Sequence, residues 1–307
     1  MKSRLSNITY MSALTAGTAI ALATLTAASK AEAPTPVALT VAMQENCDRL
    51  AGSPFDQNRN SAFAPVDIEQ IDPQAVDACR VAFDTTGNPR FAFQLGRALN
   101  KVQQPEQAMS AYETAVQHNY SAAKVNFGML LGRLGDAQAE FKMYSEAAQT
   151  GNVLAAYNLG VAYRDGLGTD VDGKKAIEWF EKAAAGGDDT AAFNLGVMYD
   201  DGQLIPEDNQ MAIAWYDVAA KRGNADAMIN LGLMYESGEG IKANPTEAAN
   251  LFAQAAAQGD QFAALKLRDL SQAGVAPAPA GDEASQGFVT LELRDGDMEQ
   301  AIFAGDI

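Results

Sequence analysis

The chain is poor in the residues that most catalytic and metal centres require. Its 307 residues include one histidine, His118, and two cysteines, Cys47 and Cys79. That inventory is too small for a zinc site, an iron–sulfur cluster or a histidine-based catalytic dyad. No cofactor, metal or catalytic set is therefore expected. His118 lies near the end of an Ala-rich helical stretch, where a cation suits the helix dipole. The nucleophile-elbow pattern Gly-x-Ser-x-Gly is also missing. Positive charge is scarce: Lys and Arg number 22 against 39 Asp and Glu, a net charge of −17. Nucleic acid is excluded as a partner, because phosphate binding needs clustered cations, and so is an anionic lipid surface. What is present is a globular composition, 48% hydrophobic and 20% charged.

The N-terminus reads as an export signal. Lys2 and Arg4 precede a stretch without charge from Ile8 to Ala28, rich in Ala, Leu and Thr. Ser29 and Ala31 then stand at the small-residue positions of a cleavage site, so residues 1–31 are expected to be removed. A retained anchor is the alternative, since an uncharged stretch of about 20 residues can just span a bilayer. Export implies a periplasmic or secreted protein with no membrane contact after cleavage. In such a compartment Cys47 and Cys79 are expected to form a disulfide.

Internal repetition carries the architecture. One phrase recurs as Phe93-Gln94-Leu95-Gly96, Asn126-Phe127-Gly128, Asn158-Leu159-Gly160, Asn194-Leu195-Gly196 and Asn230-Leu231-Gly232. Its glycines step by 32, 32, 36 and 36 residues. A second phrase keeps the same register and brings Tyr112, Tyr144, Phe180, Tyr216 and Phe252. Periods of this size mean a solenoid of stacked units. Each unit reads as two antiparallel helices. In the third copy the first spans Leu154 to Arg164 and is stopped by Gly166 and Gly168. The second begins near Asp172, places Ala176, Phe180 and Ala183 or Ala184 on one stripe, and ends at Gly186-Gly187. In the fifth copy Asn244, Pro245 and Glu247 form a helix start of capping-box type. A mid-helix glycine costs about 1 kcal/mol relative to alanine. Its recurrence predicts a close contact, with the aromatic residue of each second helix packing where the side chain is missing.

These phrases resemble the Sel-one-like repeat, the 36-residue relative of the tetratricopeptide repeat. Residues 155–190 and 191–226 are similar nearly throughout, and 227–262 has Leu251 in place of the tryptophan. Residues 91–122 and 123–154 are shorter and look more like tetratricopeptide repeats; in the latter Glu140 takes the small-residue position of the second helix. The resemblance implies an all-α, right-handed α-solenoid of about five antiparallel helix pairs over residues 89–270.

The flanks are read as follows. Residues 36–88 are a disulfide-stapled N-terminal cap with a helix from Pro73 to Phe83 capped by Asp72. Residues 263–268 begin a single closing helix with a polar outer face. Residues 271–307 form a Pro/Ala linker and an acidic tail, in which Phe288 to Leu293 could be a strand.

The resemblance also implies a function. Such families are adaptors that bind proteins or peptides and lack an active site, with the first helices lining a concave groove. The residue before the Leu-Gly pair points into that groove, which selects Gln94, Asn126, Asn158, Asn194 and Asn230. Asparagine is a poor mid-helix residue, so each amide either hydrogen-bonds an extended peptide or ties neighbouring repeats together. Arg97, Lys101 and Arg133 are expected to flank the same face and could receive a carboxylate. The expected partner is a protein or peptide of the cell envelope. The alternatives are a secreted hydrolase of the Cys-rich repeat type and a passive spacer.

Overall fold

The computed structural model describes residues 36–278. The export signal, the acidic tail and the possible strand at 288–293 lie outside the described residues. Within them the chain forms thirteen α-helices, one short 3-10 turn and no strand.

The cap contributes α1 (Pro36–Ala51) and α2 (Ala75–Thr86). Five helix pairs follow: α3 (Pro89–Lys101) with α4 (Pro105–Gln117), and α5 (Ser121–Arg133) with α6 (Ala137–Ala148). Next are α7 (Val153–Asp165) with α8 (Gly173–Ala185), and α9 (Asp189–Asp201) with α10 (Asn209–Lys221). The last pair is α11 (Ala225–Ser237) with α12 (Pro245–Ala257), and α13 (Gln261–Gln272) closes the stack alone. Each helix packs on the next in chain order, and first helices also touch across repeats, α3 with α5 and α9 with α11. The first helices therefore line the inner side.

Capping explains why the helices start where they do. Asn152, Asp188, Asn224 and Asp260 each accept a bond from the backbone N–H three residues on, starting α7, α9, α11 and α13. Asp172, Asp208 and Asn244 do the same for α8, α10 and α12. Both series keep the 36-residue step. At Asn244 the box is half made. Its side chain accepts from Glu247 N–H, but its own N–H goes to the Tyr235 carbonyl, leaving the Glu247 carboxylate to Asn250. Gly166 closes α7 in the left-handed region, φ 74°. His118 terminates α4, its Nδ1 2.9 Å from the Thr114 carbonyl oxygen.

The glycine–aromatic contact is present in all five pairs. A Cβ on Gly96 would sit 2.5 Å from the Tyr112 ring, one on Gly160 2.6 Å from Phe180 and one on Gly232 2.8 Å from Phe252. Gly128 and Gly196 face Tyr144 and Tyr216 in the same manner. The rings are buried. Glycine's propensity cost is thus offset by the close approach of two helices across an aromatic face. Of the two tryptophans, Trp215 is the buried one, at 2% exposure. Trp179 is half-buried, with Lys182 Nζ 3.8 Å above its ring.

The flanks carry the expected disulfide and differ from expectation in detail. The cap is itself a helix pair, α1 and α2, held by the Cys47–Cys79 disulfide across 32 residues. Helix α2 starts two residues after the expected Pro73, because Asp72 accepts from Gln74 N–H and shapes a turn first. It then runs past Phe83 to Gly87, which closes it at φ 63°. At the far end α13 does not present a purely polar surface, since Phe262 and Leu265 are about half exposed. Residues after α13 fold back: Val275 packs on the core and Ala278 N–H donates to Asn250 Oδ1 at 2.8 Å.

Candidate functional site

The inner row of the first repeat is covered by the protein's own cap. Asp48 of α1 is 2% exposed, a buried carboxylate that must find partners. Both of its oxygens meet the Arg90 guanidinium at 3.0 Å. It also accepts from Gln94 Nε2 at 3.1 Å and from Asn60 Nδ2 at 2.9 Å. Gln94 is fully buried, with Oε1 2.9 Å from the disulfide sulfur of Cys47. Arg97 is 3% exposed and donates to the Ala51 carbonyl at 2.6 Å and the Val66 carbonyl at 2.7 Å. Burial pulls its pKa down from the ordinary arginine value. Gln94 and Arg97 therefore do not line an open groove. They face inward as expected, but the chain following α1 lies across them. That segment continues to the start of α5, where the Tyr120 hydroxyl donates to Asp56 at 2.8 Å.

Lys101, Asn126 and Arg133 do come together, in a cleft of about 640 Å³ between the ends of α3 and α5. Their positive charge is already answered. Lys101 Nζ lies 2.8 Å from Glu69, whose carboxyl it holds below the usual carboxylate range. Arg133 donates to Asn100 Oδ1 at 2.7 Å, and Glu140 adds a second carboxylate to the lining. Asn126 turns its Nδ2 back to the Ala122 carbonyl of its own helix at 3.1 Å. Glu140 takes the place held by buried Ala108, Ala176, Ala212 and Ala248 in the other second helices. It fits because α5 has Gly132 opposite, where a Cβ would overlap the carboxyl group.

In the later repeats the asparagines diverge. Asn194 is 8% exposed; its Nδ2 donates to the Thr190 carbonyl at 2.8 Å and its Oδ1 accepts from Arg164 Nη1 of the preceding repeat. Arg164 also grips Asp165, at 2.7 Å and 2.9 Å. Asn230 lies against the Tyr216 hydroxyl, which donates to Asp200 at 3.0 Å. Asn158 is half-buried, and its Nδ2 has no partner. Between these amides runs a floor of half-buried apolar side chains: Tyr157, Val161, Phe193, Val197, Ile229 and Leu233. Sequence reading missed Arg164 and this floor. The floor recurs at fixed places, one residue before and three after the asparagine of each phrase, and was legible there, whereas the positions equivalent to Arg164 hold Asp200 and Glu236.

One polar pairing among the described residues has the spacing of a catalytic motif. Ser121-Ala122-Ala123-Lys124 has the Ser-x-x-Lys spacing of some acyl-transfer enzymes, which the sequence reading overlooked. Its two members turn apart: Ser121 Oγ is 3.0 Å from Thr150 Oγ1, and Lys124 Nζ is 3.0 Å from Glu146. Among the described residues no group of three or more His, Cys, Asp and Glu is placed to hold a metal ion. None of the described helices is long and apolar enough to cross a membrane.

Stacked helix pairs sharing one glycine–aromatic contact define a helical-repeat protein of the tetratricopeptide-like class. More particularly, residues 153–188, 190–224 and 225–260 each match the Sel1 repeat. The first two pairs fall outside that match but keep the same contact. Among solved structures, the chain is similar to c5321, a protective antigen present in uropathogenic Escherichia coli strains that displays an SLR fold. Identity is 28% and the TM-score 0.63, over 78% of this chain and 50% of that one. The chain thus spans half the length of that relative. A Sel1 repeat protein from Oxalobacter formigenes is similar at 29% identity and a TM-score of 0.53, over 61% of this chain and 77% of that one. Curated proteins gave no match.

Proposed function

We propose that this protein is an exported, non-catalytic adaptor that holds a segment of a cell-envelope protein along the inner face of its last three repeats. One observation carries the reading. The first repeat's inner positions are filled by the protein's own cap, whereas Tyr157, Val161, Phe193, Val197, Ile229 and Leu233 keep part of their surface in solvent. The cap's own contacts support the reading: Arg97 holds two backbone carbonyls of a crossing chain, and Gln94 and Arg90 hold a carboxylate. Export is supported by the Lys2/Arg4 start, the uncharged stretch to Ala28 and a disulfide, a bond that persists in oxidising compartments.

The test is capture of partners from an envelope fraction by the wild type and by Val197→Glu, a change on the half-buried floor. One stoichiometric partner is expected with the wild type and lost with the variant at unchanged melting temperature. Equal capture by both, or none by either, would overturn the reading.

A further inference from the structure

We propose that a cleft between the cap loop and the starts of α7 and α9 is a docking site for a cationic partner segment that carries a large apolar residue. The cleft measures about 650 Å³. Pro54 and Phe55 form one wall, Val153, Leu154 and Tyr157 the other, and Asp56, Asp188 and Asp189 stand among its lining residues. No Lys, Arg or His belongs to that lining. The inference rests on the adaptor reading and adds to it a place and a chemistry.

Phe55 is the first reason. It is 59% exposed, yet the loop that carries it is pinned on both sides. Ser53 and Asp56 are buried, Phe55 N–H donates to Ser53 Oγ at 3.3 Å, Asn58 N–H to Asp56 at 2.9 Å, and the Tyr120 hydroxyl holds Asp56 from α5. An aromatic ring held out on a fixed loop over an apolar floor is preorganised to clasp an apolar side chain, so little ordering cost falls on binding.

Charge is the second. Each aspartate is already committed in part: Asp188 caps α9 through Ala191 N–H, Asp189 accepts from Asn224, and Asp56 from Tyr120. None of these donors is a cation. Arg222 stands near Asp188 but spends Nη1 on the Ala184 carbonyl; Arg90 and Arg97 stand near Asp56 but are bound to Asp48 and to backbone carbonyls. Burial pushes the Asp56 and Asp188 carboxyls up, the signature of charge short of solvation. A lysine or arginine side chain entering the cleft supplies what they lack. A second copy of the chain is disfavoured as occupant, since each copy carries −17.

The experiment uses two fluorescein-labelled synthetic peptides, Lys-Leu-Lys-Phe-Lys-Leu-Lys and its Glu-for-Lys counterpart, titrated with the full chain by fluorescence polarisation. The Lys peptide is expected to bind at least tenfold tighter. Phe55→Ser, at an exposed position, should weaken it at least fivefold with the melting temperature unchanged. Asp189→Asn should weaken it and flatten its salt dependence. Hydrogen exchange should slow over residues 53–57 and 152–157 on binding. Equal binding by Phe55→Ser, equal binding of the two peptides, or protection spread over other acidic surfaces would overturn the proposal. If envelope-partner capture is lost with Val197→Glu but kept with Phe55→Ser, the cleft assignment fails while the adaptor reading stands. If capture survives both, the adaptor reading fails.

Discussion

The carboxylate of Glu140 fills the space that Gly132 leaves on the facing helix, and Tyr144 donates to it at 2.7 Å. Every other second helix has a buried alanine at that place, and no other first helix has a glycine opposite. The two positions have exchanged bulk across the α5–α6 contact, and they should be energetically coupled. Gly132→Ala alone is expected to cost about 1–3 kcal/mol by overpacking, despite alanine's better helix propensity. In the Glu140→Ala background the same change should cost less, or stabilise. A double-mutant cycle by urea unfolding measures this; additive effects would refute the exchange.

The two tryptophans should behave differently. Trp215→Ala empties a fully packed site and should cost about 3–5 kcal/mol. Trp179→Ala should cost clearly less, because its ring is half in solvent beneath Lys182. Each repeat contacts only its neighbours, so hydrogen exchange should quicken mainly in α9 to α11 for Trp215→Ala. Uniform acceleration along the chain would contradict that.

Asn194 is a tie between repeats. Replacing it with alanine removes the acceptor of Arg164 Nη1 and leaves Arg164 only Asp165 of its own helix, and stability should fall by about 1–3 kcal/mol. Affinity per folded molecule for any inner-face partner should stay within about twofold. Melting and binding measured on one preparation separate the two roles; a loss of affinity without a loss of stability would return Asn194 to the binding face.

Reduction of Cys47–Cys79 should add two hydrogens to the intact mass and remove roughly 3–4 kcal/mol, the entropic value for a loop of this length. The loosened region should be α1, α2 and residues 52–70, together with α3, whose Arg97 depends on the Ala51 and Val66 carbonyls. Protection in α9 to α12 should not change. Equal loosening there would mean that the cap and the last repeats unfold as one unit.

Asp188 gives a pH dependence with a defined sign. Burial raises its carboxyl pKa in the folded chain, while the unfolded group titrates near about 3.9. The folded state therefore holds this proton more tightly, and its contribution to stability grows as pH falls from 7 through the raised value. Asn also caps helices well. Asp188→Asn should thus be more stable than the wild type at pH 7, with the difference shrinking toward pH 4. Urea unfolding at both pH values decides it; a variant less stable at pH 7 would be evidence against the assigned cause.

The sequence by itself determined the repeat. Contacts such as Gly160 with Phe180 and Gly196 with Tyr216 join residues a fixed distance apart inside one unit. Three copies repeat that spacing of 20 residues and the first two copies a spacing of 16, so it can be read without coordinates. The helix caps, with their 36-residue step, were legible for the same reason. Only the tertiary structure decided which parts of the inner face are open. Arg97 with Ala51 and Gln94 with Asp48 each bridge 46 residues and occur once, so no second copy displays the pattern. Gln94 and Asn194 stand at equivalent positions of the phrase, yet one is sealed by the cap and the other by Arg164. Periodicity records what each repeat does within itself. A chain that crosses the stack once, as residues 52–70 do, leaves its mark only in space, and it is that crossing that separates the filled part of the inner face from the part left open.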